Sequence, residues 1–269
     1  MATIDLSQEQ VMGILNVTPD SFSDGGRFTA LDDALRQVEM MAKEGATIVD
    51  VGGESTRPGA KAVSEQDEMD RVLPVVSAIR SRFDIGISVD TSKTEVVRQA
   101  VSAGASMIND VNALRADGAM ELVGGLGVPV CLMHMQGEPR TMQADPKYSD
   151  VVADVERFLL GRAEALICAG VTKDQICIDP GFGFGKTLEH NLSLFNAIPR
   201  LVSHSFSVLV GISRKSMLGQ ITGRETEDRM PASIAAALLA WEKGAKILRV
   251  HDVAESIDAL KLWKAINNR

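Results

Sequence analysis

Short apolar, β-branched runs alternate along the whole chain with longer segments whose apolar residues recur at helical spacing. That alternation predicts repeated strand–helix units and a parallel sheet. Strands are predicted over 11–17, 47–52, 86–90, 107–111, 129–135, 176–180, 207–213 and 246–251. Between them, residues such as Leu31, Ala34, Leu35, Val38, Met41 and Ala42 share one helical face, so helices are expected to lie over the sheet. Ser92 followed by Glu95 reads as a capping box, and Ser64 with Asp67 as a looser one. Gly45, Gly104, Gly170 and Gly244 fall where a left-handed residue would end a helix just before the next strand. The segment 232–241 is apolar nearly all round. One of its faces can cover the sheet while another needs separate cover, which predicts a homodimer through the late helices.

No Pro-, Ser- or Gly-rich linker interrupts the alternation, so residues 1–269 are expected to form a single domain. Eight strands with about eight helices fit an α/β fold of the (β/α)8 TIM-barrel type better than an open doubly wound sheet.

Composition narrows the setting. Lys and Arg total 28 against 36 Asp and Glu, a net charge of −8 that argues against a broad nucleic-acid surface. No run reaches the roughly 18 apolar residues of a membrane span, the nearest being the Gly-broken 122–135 stretch, so no membrane partner is expected. The polar, acidic first residues do not resemble a signal peptide, and a cytoplasmic location is expected. Cys131, Cys168 and Cys177 lack metal-ligand spacing and sit in apolar contexts, so all are expected to be reduced and buried.

A barrel of this type builds its active site at the C-terminal ends of its strands. Here those ends are polar on every unit: Asn16, the run Asp50 to Arg57, Asp90, Asn109-Asp110, His134, Asp179, Ser213-Arg214-Lys215, and Arg249 with His251. Any one could be a helix cap or part of a buried network, but together they predict a shared pocket. Arg249, His251 and Lys215 suit an anion, whereas Asp90 and Asp179 suit the N–H edge of a planar heterocycle. The long loops after the first two strands mix glycine, hydroxyls and charge and read as lids.

Gly185-Lys186-Thr187 imitates the end of a phosphate-binding loop, but Pro180 stands where its first glycine belongs. Gly181-Phe-Gly-Phe-Gly lacks the spacing of a dinucleotide fingerprint and reads as a turn that lets backbone approach a ligand. Either phenylalanine could be core. In a chain with 4% aromatics, one at a strand tip is also a candidate to stack on a ring. His134 is expected to be a hydrogen-bonded structural histidine, with Met133 beside it lining the pocket.

The blocks Asn16-Val-Thr-Pro-Asp-Ser-Phe-Ser-Asp-Gly-Gly and Asp50-Val-Gly-Gly-Glu-Ser-Thr-Arg-Pro-Gly resemble the two signatures of the dihydropteroate synthase family. Ser88-Val-Asp-Thr, Ile108-Asn-Asp-Val, Met133-His-Met, Asp179-Pro-Gly-Phe-Gly-Phe-Gly-Lys, Gly211-Ile-Ser-Arg-Lys-Ser and Arg249-Val-His-Asp-Val continue the likeness in the family's order. The resemblance implies a pterin-binding barrel in which p-aminobenzoate displaces diphosphate from 6-hydroxymethyl-7,8-dihydropterin diphosphate, giving 7,8-dihydropteroate. It implies that Asp90, Asn109, Asp179 and Lys215 hold the pterin. Val111, Met133 and Gly211 would be further substrate-binding positions. Arg249 and His251 would take the diphosphate, helped by Asn16 through Mg2+. Thr56, Arg57, Pro58, Phe184, Lys215 and Ser216 would border the p-aminobenzoate site, with Phe22 closing over it. Asp90, Lys215, Arg57 and Phe22 would carry the catalytic roles. Two other readings share the pterin pocket: a barrel serving methyl transfer from a methylated folate, and a pterin-binding protein without catalysis.

Overall fold

A computed structural model of the chain describes residues 3–18, 27–56, 59–60 and 62–267. Its strands are β1 (Gln10–Asn16), β2 (Ile48–Gly52), β3 (Gly86–Asp90), β4 (Met107–Asp110), β5 (Val130–Met133), β6 (Ile176–Asp179), β7 (Ser207–Val210) and β8 (Ile247–Val250). They pair in parallel in chain order, and β8 closes on β1, which makes the barrel expected from the alternation. Each strand end falls within two residues of its predicted run, apart from the C-terminal end of β7, which the prediction carries three residues too far.

The helices are α1 (Arg27–Glu44), α2 (Glu65–Arg82), α3 (Thr94–Ala103), α4 (Ala119–Leu126), α5 (Val151–Cys168), α6 (Leu188–Asn196), α7 (Ile198–Val202), α8 (Ser216–Thr222), α9 (Met230–Glu242) and α10 (Val253–Ile266). Two exceed the repeat: Pro199 opens α7 as a separate turn after α6, and α8 is an extra turn after β7. All four anticipated glycines hold positive φ at the helix ends, from +100° at Gly244 to +113° at Gly104. Ser64 caps α2, accepting from the Asp67 N–H at 3.1 Å. The Ser92 capping box does not form. Lys93 occupies the N-cap of α3 without a side-chain cap bond, since an ammonium has no acceptor for the helix N–H groups, and it donates instead to Glu54 and Glu68.

Both faces of the sheet are buried, as in parallel barrels generally. Outward strand residues such as Leu15, Val49, Val89, Ile108, Leu132, Ile178 and Leu248 pack under the helices. The barrel floor is a separate apolar layer of Ile4, Leu6, Met12, Ile48, Met107, Cys131, Cys177, Leu209 and Ile247. All three cysteines are free, and Cys131 and Cys177 are buried as expected. Cys168, however, is exposed, because it ends α5 on the side away from the barrel. Among the described residues no helix is long and apolar enough to cross a membrane.

Candidate active site

Strand side chains alternate in direction, so two residues beyond each floor position the chain points inward again. From Ile48, Met107, Cys131, Cys177, Leu209 and Ile247 that step reaches Asp50, Asn109, Met133, Asp179, Gly211 and Arg249. The inward layer thus changes from wholly apolar to largely polar within one step along the strands. This polar layer lies at the end of the barrel where the strand tips predict a pocket.

Arg249 organises one side. Its Nε donates to Asp50 Oδ2 at 2.6 Å and its Nη2 to Asp90 Oδ2 at 3.0 Å. Asp50 Oδ2 also accepts from Asn109 Nδ2 at 3.1 Å. Asp50 is completely buried, yet its Oδ1 has no hydrogen-bond partner among the described residues, nor does Ser88 Oγ on the neighbouring strand. Burial pushes the Asp90 carboxyl up to about 7 even though the Arg249 guanidinium pulls it down. Gly211 lies alongside, where an added Cβ would stand 3.7 Å from that of Arg249.

Asp179 and Lys215 form the opposite side. Asp179 Oδ1 accepts the Gly181 N–H at 2.7 Å, and burial raises its carboxyl against the pull of the Lys215 cation. Burial also lowers Lys215 to about 8, with Asp179 opposing. The Lys215 ammonium donates to the Phe182 carbonyl and stands 4.4 Å from the centre of the Phe184 ring. Phe184 packs on an apolar wall of Val111, Met133, Met135 and Met142, whereas Phe182 is core. Ser216 begins α8 directly after Lys215.

Around the mouth, Asn16 ends β1. Its Oδ1 and Asp90 Cβ both lie 3.7 Å from where a Cβ on Gly52 would stand. His251 Nδ1 is 3.0 Å from Ser213 Oγ. Thr56 is half-buried at the root of the second loop, which is held by Lys93 on Glu54, by Glu54 Oε1 accepting from the Val63 N–H at 3.0 Å, and by Arg71 donating to the Gly53 carbonyl at 2.9 Å. Phe22, Arg57 and Pro58 lie outside the described residues.

Several tip residues serve the framework. Lys186 turns inward, and its Nζ meets His134 Nδ1 at 3.0 Å and the carbonyls of Gly181, Phe184 and His134 at 2.9, 3.0 and 3.3 Å. It cannot also serve a phosphate. His134 is buried as expected of a structural histidine, and burial lowers it to about 3. The glycines of the turn after β6 do permit a close approach, but to protein. A Cβ on Gly181 would strike the His134 carbonyl oxygen, and one on Gly185 that of Gln136. Asp110, the outward neighbour of Asn109, accepts N–H groups of its own loop.

The sequence reading names Asp50 only among the polar strand ends and gives no role to it, nor to Met135 and Met142. For Asp50 a signal existed: a carboxylate at an inward position of the run Ile48-Val49-Asp50-Val51 must find a partner inside the barrel. The methionines gave none, since their placement depends on how the 136–150 segment folds back.

Residues 12–251 match the family model described as pterin binding enzyme. The chain is 54% identical over 265 residues to the dihydropteroate synthase of Haemophilus influenzae, spanning 98% of this chain and 96% of that protein. It superposes with TM-score 0.93 and 50% identity on the Yersinia pestis dihydropteroate synthase in a sulfonamide drug complex, covering 99% of this chain and 97% of that one. The Xanthomonas albilineans dihydropteroate synthase with 4-aminobenzoic acid gives TM-score 0.92 and 50% identity, covering 98% and 95%.

Proposed function

The chain belongs to the dihydropteroate synthase family of pterin-binding enzymes, and from that premise we propose which of its residues carry the reaction. The enzyme joins p-aminobenzoate to 6-hydroxymethyl-7,8-dihydropterin diphosphate, releasing diphosphate and 7,8-dihydropteroate. Relatives that carry this name across nearly the full chain decide against the methyl-transfer and non-catalytic readings.

Asn109, Asp179 and Lys215 hold the pterin, with Val111, Met133 and Gly211 shaping its slot. Support comes from Asn109. Its Nδ2 is committed to Asp50, so its Oδ1, without a partner among the described residues, is left to accept an N–H of the heterocycle. Arg249 and His251 take the diphosphate. Two of the five guanidinium N–H groups of Arg249 are used on Asp50 and Asp90, and three remain for phosphate oxygens.

The C–O bond to diphosphate breaks as the amine nitrogen bonds to the exocyclic methylene, and the amine proton leaves with solvent or diphosphate. Positive charge that grows on the pterin methylene is stabilised by the Asp90 carboxylate. An aniline-type amine is already unprotonated at neutral pH, so no strong base is needed. Thr56, Arg57, Pro58, Phe184, Lys215, Ser216 and Phe22 frame the p-aminobenzoate, with the Lys215–Phe184 pair as its inner edge.

Mg2+ fits this donor set as a companion of the substrate. Asn16 offers one neutral oxygen beside Asp90, and Mg2+ keeps waters and phosphate oxygens in its shell rather than requiring a protein cage. Bound there it would neutralise charge on the departing diphosphate. A homodimer through the last helices is part of the same reading. Leu239 on α9 is 49% exposed, and Leu262 and Ile266 on α10 are 62% and 70% exposed.

The observation that carries this assignment is the bonded chain Asn109–Asp50–Arg249–Asp90, which sets a pterin-reading amide beside an anion-reading guanidinium. A diphosphate-release assay tests it. The wild type is expected to need both substrates, and Asn109→Ala to raise KM for the pterin diphosphate while leaving KM for p-aminobenzoate unchanged. Equal effects on both would overturn the assignment.

A further inference from the structure

Behind the pocket wall, the loop after β4 holds two successive non-glycine residues in the left-handed region, Ala113 at φ +52° and Leu114 at φ +55°. Both are buried, and neither side chain can make the local hydrogen bond that lets Asn or Asp tolerate such a backbone. The turn is gripped from two sides. Asp110, fully buried, accepts the Asn112 N–H on Oδ1 at 2.6 Å and the Leu114 N–H on Oδ2 at 2.8 Å. From α5, Arg162 donates through Nε to the Ala113 carbonyl at 2.8 Å and through Nη2 to the Leu114 carbonyl at 2.7 Å. A carboxylate holds the N–H groups and a guanidinium the carbonyls of one strained turn.

The placement connects this grip to the pocket. Asp110 points away from the barrel axis, so Asn109 and Val111 on either side of it point inward. Asn109 bonds Asp50, and Val111 packs with Met133, Met142 and Phe184. Arg162 belongs to the helix that follows the 136–150 segment carrying Met142. The guanidinium therefore ties the turn after β4 to α5. A glycine-containing turn would need no such grip. With alanine and leucine, the backbone that presents Asn109 and Val111 depends on Asp110 and Arg162.

We propose that Asp110 and Arg162 form a clasp that positions Asn109 and Val111 for the pterin, acting as positioning residues without touching substrate. The proposal rests on the reading of Asn109 as a pterin-binding residue, and its test separates the two.

Calorimetric titration of 6-hydroxymethylpterin into Arg162→Met is expected to show affinity about tenfold weaker, the equivalent of losing one good hydrogen bond to a charged group. KM for the pterin diphosphate should rise in parallel while KM for p-aminobenzoate stays put. Ala113→Gly added to Arg162→Met should restore part of the affinity, because glycine adopts this φ without being held while Leu114 stays strained. A variant that melts earlier but binds pterin normally would mean that the clasp serves stability alone, and the proposal would fall. Failure of Ala113→Gly to rescue would overturn it equally. If Arg162→Met does not fold, Arg162→Lys carries the same test, since an ammonium cannot reproduce the two-pronged grip. Asn109→Ala is the control. Normal pterin binding there would sink the pocket reading itself, whereas loss there with normal binding in the Arg162 variants would refute only the clasp.

Discussion

Arg249 on β8 bonds to Asp50 on β2, 2.6 Å away with β1 between their strands, and Asp50 is wholly buried. A carboxylate in that position can only accept, so it fixes two donors at once: the guanidinium Nε and the Asn109 amide nitrogen. The orientation of Asn109, and hence which ligand edge it reads, follows from an ion pair below the site. Breaking the pair by removing Arg249 would leave Asp50 and Asp90 close together without their counter-charge, the costly way to disrupt a buried pair.

Asp90 gives the activity a pH signature. Burial raises its carboxyl from 3.8 to about 7. The folded, ligand-free protein therefore holds this proton more tightly than the unfolded chain, and the Asp90 contribution to stability declines as pH rises from about 4 to 7. Catalysis runs the other way, since only the carboxylate pairs with Arg249 and stabilises positive charge. The pH profile of kcat/KM should show an acid limb near pH 7. Asp90→Asn should abolish that limb and lower kcat by about 10²–10³-fold. A limb that persists in Asp90→Asn would assign it to another group.

Lys186 should matter to the fold rather than to phosphate binding. Its ammonium meets four acceptors in a buried site, and Lys186→Met would leave carbonyls of the turn after β6 unsatisfied. A loss of about 2–4 kcal/mol in denaturant unfolding is expected. Unchanged stability would show that water replaces the ammonium at little cost.

The exposed apolar residues of α9 and α10 should be covered by a second copy. Sedimentation at micromolar concentration is expected to show a dimer, and Leu239→Lys with Leu262→Lys to shift it toward monomer. A wild-type monomer would refute this face as an interface.

The strands and their order were legible because short apolar, β-branched runs and glycine stops are local signals that a parallel barrel, buried on both faces of its sheet, leaves intact. The site was half legible. Polar tips marked Asp90, Asn109, Asp179 and Arg249, but the sequence could not separate tips that face the pocket from those that serve the framework. Asp110 and Lys186 have the same local appearance as their neighbours, yet one faces its own turn and the other a cage of carbonyls. Ser92 fits a capping box, but α3 starts one residue later, behind Lys93, whose ion pairs with Glu54 and Glu68 come from distant segments that no local motif reveals. Cys168 was misjudged for a related reason: apolar neighbours in sequence do not say which side of α5 faces the barrel.

The most direct test titrates the two halves of the substrate separately, 6-hydroxymethylpterin and Mg2+ diphosphate, into the wild type, Asp179→Asn and His251→Ala by calorimetry. Asp179 also holds the Gly181 N–H, so its variant should melt slightly earlier as well as lose pterin affinity. With the pterin read by Asp179 and the anion by Arg249 and His251, Asp179→Asn should weaken the pterin about 30-fold or more and leave diphosphate nearly untouched. His251→Ala should do the reverse. Normal pterin affinity in Asp179→Asn, or loss of both ligands in both variants, would contradict the division of the pocket into a pterin side and a diphosphate side.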